Sequence, residues 1–149
     1  MSTERLAIEQ VVQRYLHGLD ARDVELVLST FADDATLRYM DGALVMRGRD
    51  EARAYFSEHR GPAHLGITEL VASTHLLANG HVEVAGGEAR CRLSGLVLHR
   101  GRMGERDVLV QRGLRYDDRL VRDPERGWLV TERLHGTAWQ HVSDEAAAP

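Results

Sequence analysis

The sequence predicts a single α+β domain, a cone-shaped, mostly antiparallel curved sheet wrapped around N-terminal helices. Helical patterns crowd the first third of the chain and long alternating strands fill the rest, without the interleaving of βαβ units. The length agrees, because 149 residues fit one core and leave no room for a second domain.

Residues 3–20 place Ile8, Val11, Val12, Tyr15, Leu16 and Leu19 at three- and four-residue spacings, the stripe of an amphipathic helix with Ser2 or Thr3 as N-cap. Asp23 is placed to cap a short second helix through Val24, Leu26, Val27, Leu28 and Phe31, which Ala32, Asp33 and Asp34 end. Residues 35–40 read as a strand, Asp41 and Gly42 as a two-residue hairpin turn, and residues 43–46 as its partner. Residues 48–60 are helical, with Ala52, Tyr55 and Phe56 on one side, before a loop at Gly61 and Pro62. From Thr68 onward, strands are punctuated by turns at 79–80, 86–87, 101–104 and 124–127. Residues 143–149 read as a frayed, alanine-rich tail.

Composition excludes several classes of function. Net charge is -4, and the 19 basic residues, all arginine, are interspersed with acids, so no electrostatic footprint for nucleic acid exists. The first residues lack a basic segment followed by an apolar stretch, and no run approaches the roughly 18 apolar residues of a membrane span, which points to a soluble, cytoplasmic protein. One cysteine, Cys91, excludes an internal disulfide and a cysteine zinc site and suits core packing. Without lysine there is no lysine Schiff base. The histidines show no His-x-x-x-His spacing, and no Gly-x-Ser-x-Gly elbow occurs; Gly101 and Gly104 lie in an arginine-rich hairpin and not at a strand-to-helix phosphate cradle. The expectation is chemistry with no cofactor and no metal.

Strand alternation then asks which polar residues face the core. Ala89, Cys91, Leu93, Gly95, Val97 and His99 share one face, leaving Leu96 and Leu98 on the other as a bulge or an oligomer contact. His75 shares parity with Val71, Ser73 and Leu77. The last two strands are mixed on both faces, so pattern does not decide whether Arg112 or His135 points inward. Asp20, four residues after Leu16, extends the apolar stripe of the first helix, and an inward carboxylate needs a partner. Each candidate has a structural alternative: a core histidine for His75, a helix-end residue competing with Asp23 for Asp20, a packed ring for Tyr15, an exposed hairpin end for His99.

The order of elements, with the segments 15–23, 31–35, 74–79 and 113–118, then Gly127-Trp128 and Glu132-Arg133, resembles the SnoaL-like branch of the nuclear transport factor 2-like superfamily. Scytalone dehydratase, bile-acid dehydratases, hexachlorocyclohexane dehydrochlorinase and several polyketide cyclases are relatives within it. The resemblance spans residues 1–142 and implies a cone with a pocket at one end. It also implies that an aspartate at the end of the first helix holds a sheet histidine that removes a substrate proton; Asp20 and His75 stand at those positions. Tyr15 matches a tyrosine five residues before the aspartate in the bile-acid dehydratases, and His99 is an approximate counterpart of a second sheet histidine. Leu19 stands where scytalone dehydratase has a tyrosine, so that enzyme's carbonyl-activating pair does not carry over.

The expected activity is therefore a cofactor-independent lyase or isomerase, a dehydratase first, acting on a small hydrophobic cyclic metabolite. A polyketide-type cyclase and a non-catalytic binding or assembly module are the alternatives. Relatives associate through the outer sheet face, which implies a homodimer or homotrimer.

Overall fold

The computed structural model describes residues 3–58 and 65–144. Helix α1 (Thr3–Ala21) buries Ile8, Val11, Val12, Tyr15 and Leu16 along one stripe, and each fully buried aliphatic side chain contributes about 1.5–3 kcal/mol. It ends with Arg22 at φ 55. There the Asp23 N–H donates to the Gly18 carbonyl at 2.9 Å and the Arg22 N–H to Leu19 at 3.2 Å, the paired bonds that satisfy the last carbonyls of a helix. Asp23 then caps α2 (Val24–Leu28), accepting from the Leu26 N–H at 3.0 Å. The two helices cross closely at Gly18, where a Cβ would lie 2.8 Å from Val27 Cγ2.

The second helix is shorter than predicted. Ser29 and Thr30 turn their hydroxyls back onto the Leu26 and Val27 carbonyls at 2.7 and 2.6 Å, and the Thr30 carbonyl accepts from the Val130 N–H. Phe31 therefore opens strand β1 (Phe31–Tyr39) instead of closing a helix. The predicted two-residue hairpin is also wider. Tyr39 pairs with Leu44, and Met40–Gly42 form a 3-10 turn with Met40 and Asp41 both at positive φ. Strand β2 (Leu44–Arg47) and helix α3 (Gly48–Ser57) follow. The predicted end of that helix at residue 60 and the loop at 61–62 lie outside the described residues, as does Ser2.

Four long strands complete the chain: β3 (Glu69–Ala85), β4 (Glu88–Met103), β5 (Arg106–Asp123) and β6 (Gly127–Asp144). The sheet order is β2-β1-β6-β5-β4-β3. β1 runs parallel to β6 and every other neighbouring pair is antiparallel, giving a mixed, curved, unclosed sheet with α1 packed across its inner face. Asn79 and Gly80 do not form the expected turn; the strand runs through them with a bulge between Leu77 and Gly80. Ser143 and Asp144, expected in the tail, pair with Leu109 and Val108, and residues 145–149 lie outside the described part.

Bulges decide which side chains face inward. In β4 the alternation holds, and Ala89, Cys91, Leu93, Val97 and His99 are buried. In β3 an extra residue at Val71 shifts the phase, so Val71 is exposed while Leu70 joins Ser73 and His75 at the cavity, against the shared parity the sequence suggested. In β6 the bulges at Thr131 and Ala138 flip the phase twice, which puts Val130, then Arg133, His135 and Thr137, opposite the inner residues of β5. That explains why neither face of this strand read as internal. Among the described residues no helix is long and apolar enough to cross a membrane, and no group of three or more His, Cys, Asp or Glu is placed to hold a metal ion.

Candidate active site

A cavity of about 360 Å³ lies between the helices and the concave face of the sheet. Three of the four predicted residues line it, Tyr15 from α1, His75 from β3 and His99 from β4, and the fourth, Asp20 at the C-terminal end of α1, stands behind His75 and is bonded to it. The competition between Asp20 and Asp23 is resolved by geometry. Asp23 caps α2, and Asp20, one turn past Leu16 on the inward edge of α1, reaches across to β3.

The Asp20 carboxylate meets His75 twice. Oδ1 lies 2.6 Å from the ring Nδ1, and Oδ2 accepts the His75 backbone N–H at 2.9 Å. Ser73 Oγ donates to Oδ1 at 3.3 Å. Partial burial pushes the carboxyl upward, but the hydrogen bonds from the His75 ring and backbone, then the histidine charge and Ser73, outweigh it and hold Asp20 below its ordinary value. An ionised Asp20 accepts, so Nδ1 carries the proton and Nε2 is left with its lone pair. The His99 ring stands edge-on to His75, centroids 6.0 Å apart.

Tyr15 is buried, and its hydroxyl lies 2.7 Å from that of Tyr39. Burial, then the neighbouring Tyr39 and Tyr116, raise the Tyr15 phenol well above its ordinary value against the pull of Arg133. Burial likewise raises Tyr39, opposed by Arg133 and by the bond to Tyr15. Both hydroxyls stay protonated near neutrality and can donate. Behind them Arg133 and Asp118, fully buried, form a two-pronged pair at 2.8 and 2.6 Å. The Arg133 guanidinium sits over the Tyr15 ring, 4.1 Å from its centroid, fixing that ring from below.

The comparisons with known proteins agree with this architecture. The SnoaL-like domain model matches residues 1–134. The chain belongs to the SnoaL-like domain family. No curated protein matches it. Among solved structures, this SnoaL-like chain is similar to a putative scytalone dehydratase from Novosphingobium aromaticivorans, at 23% identity and TM-score 0.73 over 97% of this chain and 89% of that one. It is similar to a type 2 hexachlorocyclohexane dehydrochlorinase, LinA, at 19% identity and TM-score 0.75 over 97% and 93%. ActVI-ORFA from Streptomyces coelicolor matches at 17% identity and TM-score 0.73 over 92% and 98%. At these identities the likeness is one of fold, and another similar solved structure, from Novosphingobium aromaticivorans, is an NTF2-like protein with a cystatin-like fold.

Sequence reasoning passed over part of the lining of this SnoaL-like cavity. Tyr39, Tyr55 and Tyr116 face it but were legible only as apolar strand and helix residues. Arg112 and His135, the weaker candidates, also face it. For Arg112 the even-numbered alternation of β5 was a usable signal, since Val108, Val110, Leu114 and Leu120 on the same parity are all buried. For His135 no local signal existed, because two bulges set its phase.

Proposed function

We propose that the cavity is the active site of a cofactor-independent lyase or isomerase, with dehydration of a small hydrophobic cyclic metabolite as the specific reaction. The observation that carries this reading is the 2.6 Å contact between Asp20 Oδ1 and His75 Nδ1 in the wall of a cavity. It selects the tautomer whose Nε2 lone pair faces substrate and stabilises the imidazolium formed when that atom takes a proton.

In the proposed step, Nε2 removes a proton from a carbon next to a carbonyl. The C–H electron pair moves to the carbonyl oxygen, which accepts a hydrogen bond from the Tyr15 and Tyr39 hydroxyl pair as charge develops. Collapse of the enolate expels a β-hydroxyl, and the imidazolium returns its proton so that water leaves. Positioned proton transfer of this kind contributes about 10²- to 10⁴-fold, enough for an already activated C–H bond.

Two measurements test the reading. The protein should accelerate exchange of the α-protons of 2-tetralone in heavy water, and should remove water from members of a panel of cyclic β-hydroxy ketones followed by mass spectrometry. His75→Ala should abolish both while leaving the circular dichroism spectrum unchanged. Exchange and dehydration at wild-type rates in that variant would sink the proposal, and a ring-closed product in place of a dehydrated one would move it to a cyclase.

The proposed setting is a cytoplasmic homodimer or homotrimer. A buried free thiol at Cys91 fits a reducing compartment. On the outer face of the sheet, Leu76, Leu96, Gly113 and Trp139 are register partners in one row, with Leu76 and Trp139 about half exposed and the indole lying over Gly113. Trp139→Glu should lower the mass read by light scattering; a mass equal to one chain for the unsubstituted protein would overturn the assembly.

A further inference from the structure

Among the described residues two arginines line the cavity, Arg22, which is exposed and donates to the Leu70 carbonyl, and the buried Arg112. Arg112 is 7% exposed and comes from the inner face of β5. Its Nη2 donates to Thr137 Oγ1, a neutral acceptor, and its buried Nε has no hydrogen-bond partner. Among the described residues no carboxylate lies within ion-pairing distance of it, whereas Arg133, one strand away, holds a two-pronged ion pair with Asp118. Tyr55 and Tyr116 are the titratable groups close enough to affect it, and burial pulls its pKa down. A buried guanidinium without an anion is costly, and a fold that could pair Arg133 has left Arg112 facing the cavity unpaired.

Register places this charge relative to the proposed base. His75 pairs with Val97, and Val97 pairs with Arg112, so the three form one cross-strand row on the concave face with the buried Val97 between the two polar residues. Two strand spacings separate the backbones of His75 and Arg112 by about 9–10 Å. That is room for one six-membered ring over Val97, with a reacting carbon toward His75 and an acidic substituent toward Arg112. The planar fork of a guanidinium matches the two oxygens of a carboxylate.

We infer that the cavity takes a cyclic carboxylic acid, its carboxylate held by Arg112 and its ring laid across Val97 with the carbon that loses a proton presented to His75. The inference rests on the reading of the cavity as a substrate site and deepens it by naming the charged group of the substrate.

Matched acid and amide pairs, benzoate with benzamide and 2-naphthoate with 2-naphthamide, test it by calorimetry at neutral pH. At least one acid should bind wild type about 10-fold or more tighter than its amide, the effect of a charge-assisted hydrogen bond to a buried cation. The preference should vanish in Arg112→Gln and persist in weakened form in Arg112→Lys, which keeps the charge and loses the fork. No acid binding above its amide, or a preference that survives Arg112→Gln, overturns the assignment. The 2-tetralone exchange depends on His75 and involves no carboxylate, so loss of that activity with the acid preference intact would count against the base and not against Arg112, and the converse result would do the reverse.

Discussion

Asp20 and His75 are joined at two points, ring Nδ1 to Oδ1 at 2.6 Å and backbone N–H to Oδ2 at 2.9 Å. One carboxylate thus fixes both the orientation of the imidazole and the strand that carries it. Asp20→Asn removes the charge and offers an amide N–H to Nδ1 or breaks the backbone bond, turning the ring toward the wrong tautomer. The exchange rate of 2-tetralone is expected to fall by about 10²- to 10⁴-fold, with the spectrum of the folded protein retained.

The same pair predicts a pH dependence. Asp20 sits below its ordinary 3.8 in the folded protein, so its stabilising effect is present above the unfolded value and is lost as pH falls through the folded one. The gap in urea midpoint between wild type and Asp20→Asn should hold from neutrality to about pH 5 and close as the pH drops below 3.8. A gap that widened in acid would show that the carboxylate is not favoured by the fold.

Arg133 and Asp118 form a buried pair whose separation leaves an uncompensated charge. Arg133→Met alone should destabilise by about 3–5 kcal/mol in urea unfolding, and Arg133→Met combined with Asp118→Leu should recover most of that loss. Tyr15 loses the cation beneath its ring in both variants, so exchange activity should drop in both even where stability returns.

The Tyr15 and Tyr39 hydroxyls satisfy each other in a buried setting. Tyr39→Phe strands the Tyr15 hydroxyl and should cost about 1–3 kcal/mol. Tyr15→Phe with Tyr39→Phe should cost less than the sum of the single changes, as read from a double-mutant cycle in urea.

Cys91 is buried, and burial, with Asp118 adding to it, pushes its thiol up to about 12. Almost no thiolate exists at neutral pH, so the folded protein should resist a thiol-reactive disulfide reagent that modifies it within minutes in urea. Because the folded value is raised, stability should also decline as pH rises from the ordinary 9.0 toward about 12.

Several features were legible in the sequence for definite reasons. The stripe of α1 survives because the helical period needs no long-range information, and it places Asp20 and Tyr15 on its inward side. The face of β4 that holds Val97 and His99 was readable because that strand keeps a regular alternation across all of its inward residues. Asp23 as a cap was readable because capping is local. The pairing of Asp20 with His75 came from likeness to a family, since no periodicity links residues fifty-five positions apart.

By itself, then, the sequence determined the fold class, the inward stripe of α1 and the inward odd-numbered face of β4, all consequences of short-range periodicity and capping. Only the tertiary structure decided that Val71 turns out and Leu70 in, that His135 faces the cavity, and that Arg112 stands across Val97 from His75 without a carboxylate of its own. The physical reason is common to all of these. A bulge adds one residue and reverses every side chain beyond it, and bulges, like the choice of which arginine receives a carboxylate, are set by strands paired across the sheet.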